Sequence, residues 1–408
     1  MTKKNLTNMI NPSSKDLLDN AANDEAISKL STTPNETIFS DGSTYFDALI
    51  EDIKQSTNSI EIETFIFDKD HLGDQISEAL GAAAKRGVHV RILVDGAGSP
   101  LWTTNYAKKL EKAGAKTRVF HPFPWQLWNW SRSVVKLHWM LKWIYLLLKS
   151  NSRNHRKVCI IDESIAYVGS ANISKCHLDK TQGGDSWRDT VVRLFNADLS
   201  GLINAFNSAW THQTIKERLK NIFRHVRQDP IIRLNYSRHR RRILHKDLLR
   251  KITNCKHRIW ITNAYFVPDS FLLRRLKEAA RKGADVRILL PKTSDVIMMP
   301  WASSTFYFSL LKAGVRIFEY LPSVLHAKSL IIDNWVLLGS SNLNHRSLLH
   351  DLEADINLSN PDSKKHLAEL FLNDLEQSRE VGLDSWHRIR PFRQRFMGRL
   401  VLYLKYWI

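Results

Sequence analysis

Residues 155–162 read HRKVCIID and residues 326–333 read HAKSLIID. Both follow one pattern: His, one residue, Lys, four residues, Asp. The copies are His155, Lys157 and Asp162, then His326, Lys328 and Asp333. Each is followed by a similar tail, Gly169-Ser170-Ala171-Asn172 and Gly339-Ser340-Ser341-Asn342. Two copies with matching tails describe a duplicated half-site, and two imidazoles with two ammoniums suit chemistry on a phosphodiester.

The spacing has a physical basis. Val158 to Ile161 and Ala166 to Val168 read as short buried strands around the turn at Asp162, Glu163 and Ser164. Successive side chains on a strand point to opposite faces, so His155 and Lys157 share a face and can address one phosphate. Asn172 then arrives from the end of the next strand. Ser329 to Ile332 and Trp335 to Leu338 repeat this layout. Asp162 and Asp333 fall at the turns, which assigns them to fixing those turns.

The duplication extends upstream. Ile60 to Phe65 matches Ile259 to Ala264 as a first strand. The segment Lys85-Arg86-Gly87 with Val90 to Leu93 matches Arg281-Lys282-Gly283 with Val286 to Leu289, and Lys112-Ala113-Gly114 matches Lys312-Ala313-Gly314. Strands alternating with helical segments that stop at Gly predict β-α-β units in a mostly parallel or mixed sheet. The fold expected is α/β: two halves related by a pseudo-twofold axis, mixed sheets flanked by helices, and one active site shared between them. The first half covers about 35–215 and the second 216–385, with a flexible segment 1–34 before them and a basic aromatic tail 386–408 after them.

On these motifs and repeats the chain resembles the phospholipase D superfamily, and within it the bacterial cardiolipin synthases, over roughly residues 35 to 390. The resemblance implies catalysis by His155, Lys157, Asp162, His326, Lys328 and Asp333. It makes His155 the nucleophile of a phosphohistidine intermediate, with His326 acting as acid and later as base. Asn172, Asn342, Ser170 and Ser340 are expected to bind the phosphate. Arg346 and Ser347 resemble family residues beyond the second motif that bind a phosphate or headgroup. Each His needs a carboxylate on its other nitrogen, and Asp189 and Glu353, each following the His of its own half, are the candidates. His121, His138, His177, His345 and His350 stand outside the motif pairs and are not assigned to catalysis. No metal or other cofactor is expected, since the two ammoniums supply the positive charge.

The halves differ in one place. Gly114 precedes His155 by 41 residues and Gly314 precedes His326 by 12, so the first half carries about 29 extra residues, centred on 122–150. This insertion, PFPWQLWNWSRSVVKLHWMLKWIYLLLKS, holds Trp125, Trp128, Trp130, Trp139 and Trp143, broken by Arg132, Lys136 and Lys142. It is no bilayer crossing; Trp beside Lys and Arg describes a segment lying in a membrane interface. The tail from Pro391 and the aromatic stretch from Met298 to Phe308 suggest further membrane contacts.

A net charge of +19 on 408 residues, with clusters at Lys216 to Arg227 and Arg238 to Arg242, calls for a polyanionic partner. The Trp-rich apolar segments favour phospholipid over nucleic acid. Three Cys show no paired or metal-binding spacing, which fits a reducing compartment, and Cys159 reads as core. No signal peptide or spanning segment is legible, so the expected location is peripheral, on the cytoplasmic face of the bacterial inner membrane. The function expected is phosphatidyl transfer from one phospholipid to phosphatidylglycerol, with phosphatidylglycerol or phosphatidylethanolamine as donor; a monomer suffices. The alternatives are hydrolysis of phospholipid or nucleic acid at the same site, and a non-catalytic lipid-binding scaffold.

Overall fold

The computed structural model describes residues 34–211 and 231–403. The segment 1–33 and the basic cluster Lys216 to Arg227 lie outside the described residues. Seven strands form the first sheet: β1 (Asn35–Phe39), β2 (Ser59–Thr64), β3 (His89–Asp95), β4 (Lys116–Phe120), β5 (Val158–Ile161), β6 (Ile165–Gly169) and β7 (Val191–Phe195). Their order is β1-β7-β6-β5-β2-β3-β4. β2, β3 and β4 run parallel, whereas β5, β6, β7 and β1 join antiparallel.

The second sheet repeats this plan. It contains β8 (Ile232–Leu234), β9 (Arg258–Thr262), β10 (Asp285–Pro291), β11 (Arg316–Tyr320), β12 (Ser329–Ile332), β13 (Trp335–Gly339), β14 (Ala354–Asn357) and β15 (Ser378–Val381). In the order β15-β11-β10-β9-β12-β13-β14-β8, every strand but β15 has a counterpart in the first sheet. Both sheets are mixed, and the duplicated α/β architecture expected from the repeats is present.

Helices Gly42–Gln55 and His71–Lys85 cover the outer face of the first sheet around Ile62, Ile76 and Ile92. Arg238–Asn254 and Ser270–Arg281 cover the second around Ile261, Leu276 and Ile288. The inner faces meet each other: Ile160, Val168 and Val192 pack in one cluster with Ile331, Leu338 and Ile356. That shared core joins the two halves and brings the ends of β5 and β12 to one place.

Asp162 and Asp333 brace the far ends of those strands. The Asp162 carboxylate accepts the backbone N–H groups of Thr57, Asn58 and Ser59 at 2.9, 2.7 and 2.9 Å. Asp333 accepts those of Lys256, His257 and Arg258 at 2.9, 2.9 and 3.0 Å. Both residues adopt a left-handed backbone, with φ of 50° and 51°, which Asp tolerates better than most side chains. Burial opposes the charge on Asp333, yet the backbone donors hold its pKa down to about 2. Grouped with the catalytic set by the motif, these two aspartates prove to be ties between a turn and the neighbouring strand.

Candidate active site

Strand alternation sets up the reacting groups, but an exchange between halves completes them. Just before His155, Asn154 bridges Leu352 in parallel; just before His326, Leu325 bridges Arg188 in the same way. The His155 N–H donates to Leu352 O at 3.0 Å, and the His326 N–H donates to Arg188 O at 2.8 Å. Leu352 and Arg188 immediately precede Glu353 and Asp189. Each bridge therefore lays one half's imidazole beside the other half's carboxylate.

The result is a crossed pairing. His155 Nδ1 lies 3.1 Å from both oxygens of Glu353, and His326 Nδ1 lies 2.8 Å from Asp189 Oδ1. The within-half partnership expected from the sequence is corrected by the inter-half bridges: Asp189 serves His326, and Glu353 serves His155. Both rings keep Nε2 as the reactive nitrogen, with Nδ1 facing a carboxylate that fixes the tautomer.

The lysines share this environment. Lys157 Nζ donates to His155 O at 2.7 Å, and Lys328 Nζ donates to His326 O. Phe65 packs edge-on to the His155 ring with Lys157 over its face, and Tyr265 holds the same relation to His326 and Lys328. Burial pulls the Lys157 pKa down to about 7 and the Lys328 pKa to about 8. Burial and the nearby Lys157 and Lys328 ammoniums push His155 well below its usual value, and His326 falls to about 4 for the same reasons. Protonation of these four groups is thus costly unless a negative charge lies beside them, and an anionic phosphodiester would supply one.

The expected phosphate-binding residues divide. The Asn172 Oδ1 accepts the Ile66 N–H at 3.2 Å, which orients its amide, while Asn342 Oδ1 is buried with no protein partner among the described residues. Ser170 and Ser340 do not reach for a phosphate. Ser170 is fully buried against Thr190, accepting its N–H at 3.0 Å and donating to its carbonyl at 3.3 Å. Ser340 donates to Glu353 Oε2 at 2.5 Å and accepts the Ala354 N–H at 3.0 Å. Arg346 pairs with Asp351 at 2.9 Å.

His177 was missed. Its Nδ1 donates to Asp189 Oδ2 at 2.7 Å, and its Nε2 receives the Asn172 N–H at 3.2 Å. Ser347 does the same work in the other half, donating to Glu353 Oε1 at 2.6 Å and accepting the Asn342 N–H at 3.3 Å. Both stand five residues after their Asn, so His177 lies inside the duplicated frame. Counting from Asn172 and Asn342 would have found it; the unlike residue types hid it. The Asp189 charge draws a second proton toward His177, raising its pKa to about 10 against the burial penalty. The Asn172 N–H, however, needs a lone pair on Nε2, so the hydrogen bonds require the neutral ring with its proton on Nδ1.

The two carboxylates consequently differ. Burial raises Glu353 to about 7 despite the Lys157 charge and the two serine hydroxyls. Burial would also raise Asp189, but His326 and His177 outweigh it and hold the group well below the ordinary carboxylate range.

Two His/Lys pairs on a duplicated α/β frame, each His backed by a carboxylate, define a phosphodiester-processing enzyme of the phospholipase D type. The family model described as cardiolipin synthase, phospholipase D-like domain, matches residues 49–210 and 248–375, one segment in each half. Cardiolipin synthase of Halalkalibacterium halodurans is 32% identical over 90% of this chain and 70% of its own length. That of Staphylococcus aureus is 31% identical over 86% of this chain and 69% of its own length. Among solved structures, phosphatidylserine synthase of Haemophilus influenzae superposes with a TM-score of 0.64 at 12% identity, covering 93% of this chain and 96% of that one. Polyphosphate kinase of Porphyromonas gingivalis gives 0.53 at 10% identity, covering 84% of this chain and 50% of that one; both likenesses bear on the fold. The chain belongs to the cardiolipin synthase, phospholipase D-like family, and is an enzyme of the phospholipase D-type phosphatidyltransferase class.

Proposed function

We propose that the protein is a cardiolipin synthase, moving a phosphatidyl group from one phospholipid to phosphatidylglycerol through a phosphohistidine on His155. The crossed pairing of His155 with Glu353 and His326 with Asp189 carries this reading, because it supports two imidazoles in different roles. Asp189 keeps its full negative charge and favours an imidazolium on His326. The less anionic Glu353 leaves His155 neutral, as a nucleophile must be.

In the first step His155 Nε2 attacks phosphorus, the bond to the headgroup oxygen breaks, and the departing alkoxide takes a proton from His326 Nε2. In the second, the phosphatidylglycerol hydroxyl gives its proton to His326 and attacks phosphorus. The P–N bond then breaks and His155 is restored. Lys157 and Lys328 neutralise the non-bridging oxygens, and the Asn172 amide adds a donor. The entering phosphodiester supplies the negative charge that lets His326 hold a proton against its burial and the Lys328 charge.

The protein sits peripherally on a membrane surface, a reading supported by helix Trp139–Leu148, and the cytoplasmic face of the bacterial inner membrane is the location we assign to it. Among the described residues no helix is long and apolar enough to cross a membrane. Yet this one turns Trp139, Leu141, Trp143, Ile144 and Leu148 outward, Leu148 being 78% exposed. Lys142 points inward, donating to Trp130 O at 2.6 Å. A helix facing water would do the reverse; one immersed in the acyl-headgroup boundary does this.

The test is turnover of labelled phosphatidylglycerol in liposomes, with and without phosphatidylethanolamine, resolved by product mass. Cardiolipin as the main product, lost in His155→Ala, supports the reading. Phosphatidic acid alone would make the protein a hydrolase.

A further inference from the structure

A second cationic cavity lies outside the reacting groups. It occupies about 1180 Å³ between helix Arg238–Asn254, the start of helix Ser270–Arg281, the short helix His345–Leu349 and helix Phe392–Tyr403. None of His155, Lys157, His326 or Lys328 lines it.

Its chemistry is lopsided. Arg238, Arg241, Arg242 and Arg399 line it, and among the described lining residues Asp269 is the one carboxylate. Asp269 is already engaged, accepting the Leu272 N–H at 2.8 Å and pairing with His245 at 2.9 Å. The Arg241 guanidinium is held by the carbonyls of Leu349, His350 and Asp351 at 2.9 to 3.0 Å, which fix its position without cancelling its charge. Arg238, Arg242 and Arg399 are exposed and form no ion pair with the described residues. His345, His350 and Ser270 add further polar groups, and Phe271, Phe306 and Leu402 give the wall an apolar stretch. Four guanidiniums beside aromatic and aliphatic surface match a phosphate joined to acyl chains, and neither a free anion nor an apolar peptide uses both.

We propose that this cleft binds a second anionic phospholipid, separate from the one cleaved, with its phosphate on Arg238, Arg242 and Arg399 and a chain along Phe271 and Leu402. The proposal rests on the phospholipid reading of the active site. The wall of the cleft is tied to the support of His155: Arg241 holds the carbonyls of residues 349–351, and Ser347, on the short helix that walls the cleft, donates to Glu353.

The experiment is calorimetric titration of the full chain carrying His155→Ala with dihexanoyl-phosphatidylglycerol below its micelle concentration. Two lipids per chain are expected. Adding Arg238→Glu and Arg242→Glu, both on exposed positions, should leave one, with the lost site weakened at least about tenfold. Phe271→Asp, at a side chain 57% exposed, should weaken the same site independently. Two lipids per chain in every variant, or one lipid in the parent that the variants do not disturb, would overturn the proposal. Inorganic phosphate displacing the second lipid at equal concentration would also overturn it, by showing a simple anion pocket. Binding of no lipid at all would instead remove the phospholipid reading on which the proposal stands.

Discussion

At the level of single residues, His177 shows how a duplicated site can diverge without losing its logic. His177 and Ser347 each receive an Asn N–H and give a proton to the carboxylate behind a reacting imidazole. Replacing His177 with Ala leaves one Asp189 oxygen and the Asn172 N–H unpaired in a buried place. The loss of a hydrogen bond to a charged group predicts a fall in kcat of about ten- to a hundredfold with little change in KM. Without that donor the Asp189 carboxylate becomes a stronger acceptor toward His326 Nδ1 and favours the His326 imidazolium more, so the alkaline limb of the kcat profile should move to higher pH. His177→Asn, which keeps a donor near Nδ1, should recover most of the activity; an unchanged pH profile in His177→Ala would reduce the residue to packing. The buried lysines give a second expectation. With Lys157 near 7 and Lys328 near 8 in the empty site, kcat/KM should fall as pH rises through that range. The kcat profile should fall at higher pH, because bound phosphodiester holds the lysines charged.

Among the elements, the turns and the inserted helix make separate predictions. The aspartates ending each motif lie where the strand turns, and this was readable from their position in HRKVCIID and HAKSLIID. Asp333→Asn tolerates the left-handed backbone and keeps an acceptor, so it should cost little stability. Asp333→Ala should lose about 1 kcal/mol or more in denaturant titration while kcat changes little. The sign with pH follows from the depressed pKa: this stabilisation is present above about 3.9, the unfolded value, and is lost as pH falls toward about 2. A large kcat defect in Asp333→Asn would contradict the bracing role. For helix Trp139–Leu148, Trp139→Asp with Trp143→Asp should abolish most binding to phosphatidylglycerol vesicles in flotation, yet leave turnover of a dispersed short-chain substrate intact. Composition, with Trp beside Lys and Arg, pointed to an interfacial segment. The inward turn of Lys142 was not legible, because it depends on the Trp130 carbonyl that the preceding loop places beneath the helix.

For the whole molecule, the repeat in the sequence was enough to predict two mixed-sheet halves and one site, since matching strands with matching turns leave few ways to pack. It also singled out two His/Lys pairs and two carboxylates that the fold brings together. It could not give the crossing of the pairs, which is decided by backbone bridges between segments 137 and 198 residues apart. Nor did it show that the Ser170 hydroxyl is taken up by the Thr190 backbone and that of Ser340 by Glu353 and Ala354, since serines at the end of a strand can turn either way. The crossing makes the enzyme one functional unit: each half supplies the imidazole that the other half's carboxylate supports. The pseudo-symmetry is broken instead by the surroundings of the two carboxylates, since burial raises Glu353 to about 7 whereas His326 and His177 hold Asp189 well below the ordinary carboxylate range. The most direct test of that asymmetry is a rapid acid-free quench of the protein with acyl-labelled phosphatidylglycerol, followed by peptide mapping of the covalent adduct. The structure predicts a phosphatidyl group on His155, absent in His155→Ala and still formed in His326→Ala from a donor whose leaving group needs no proton. An adduct on His326 in the unmodified protein, or none on either histidine, would contradict it.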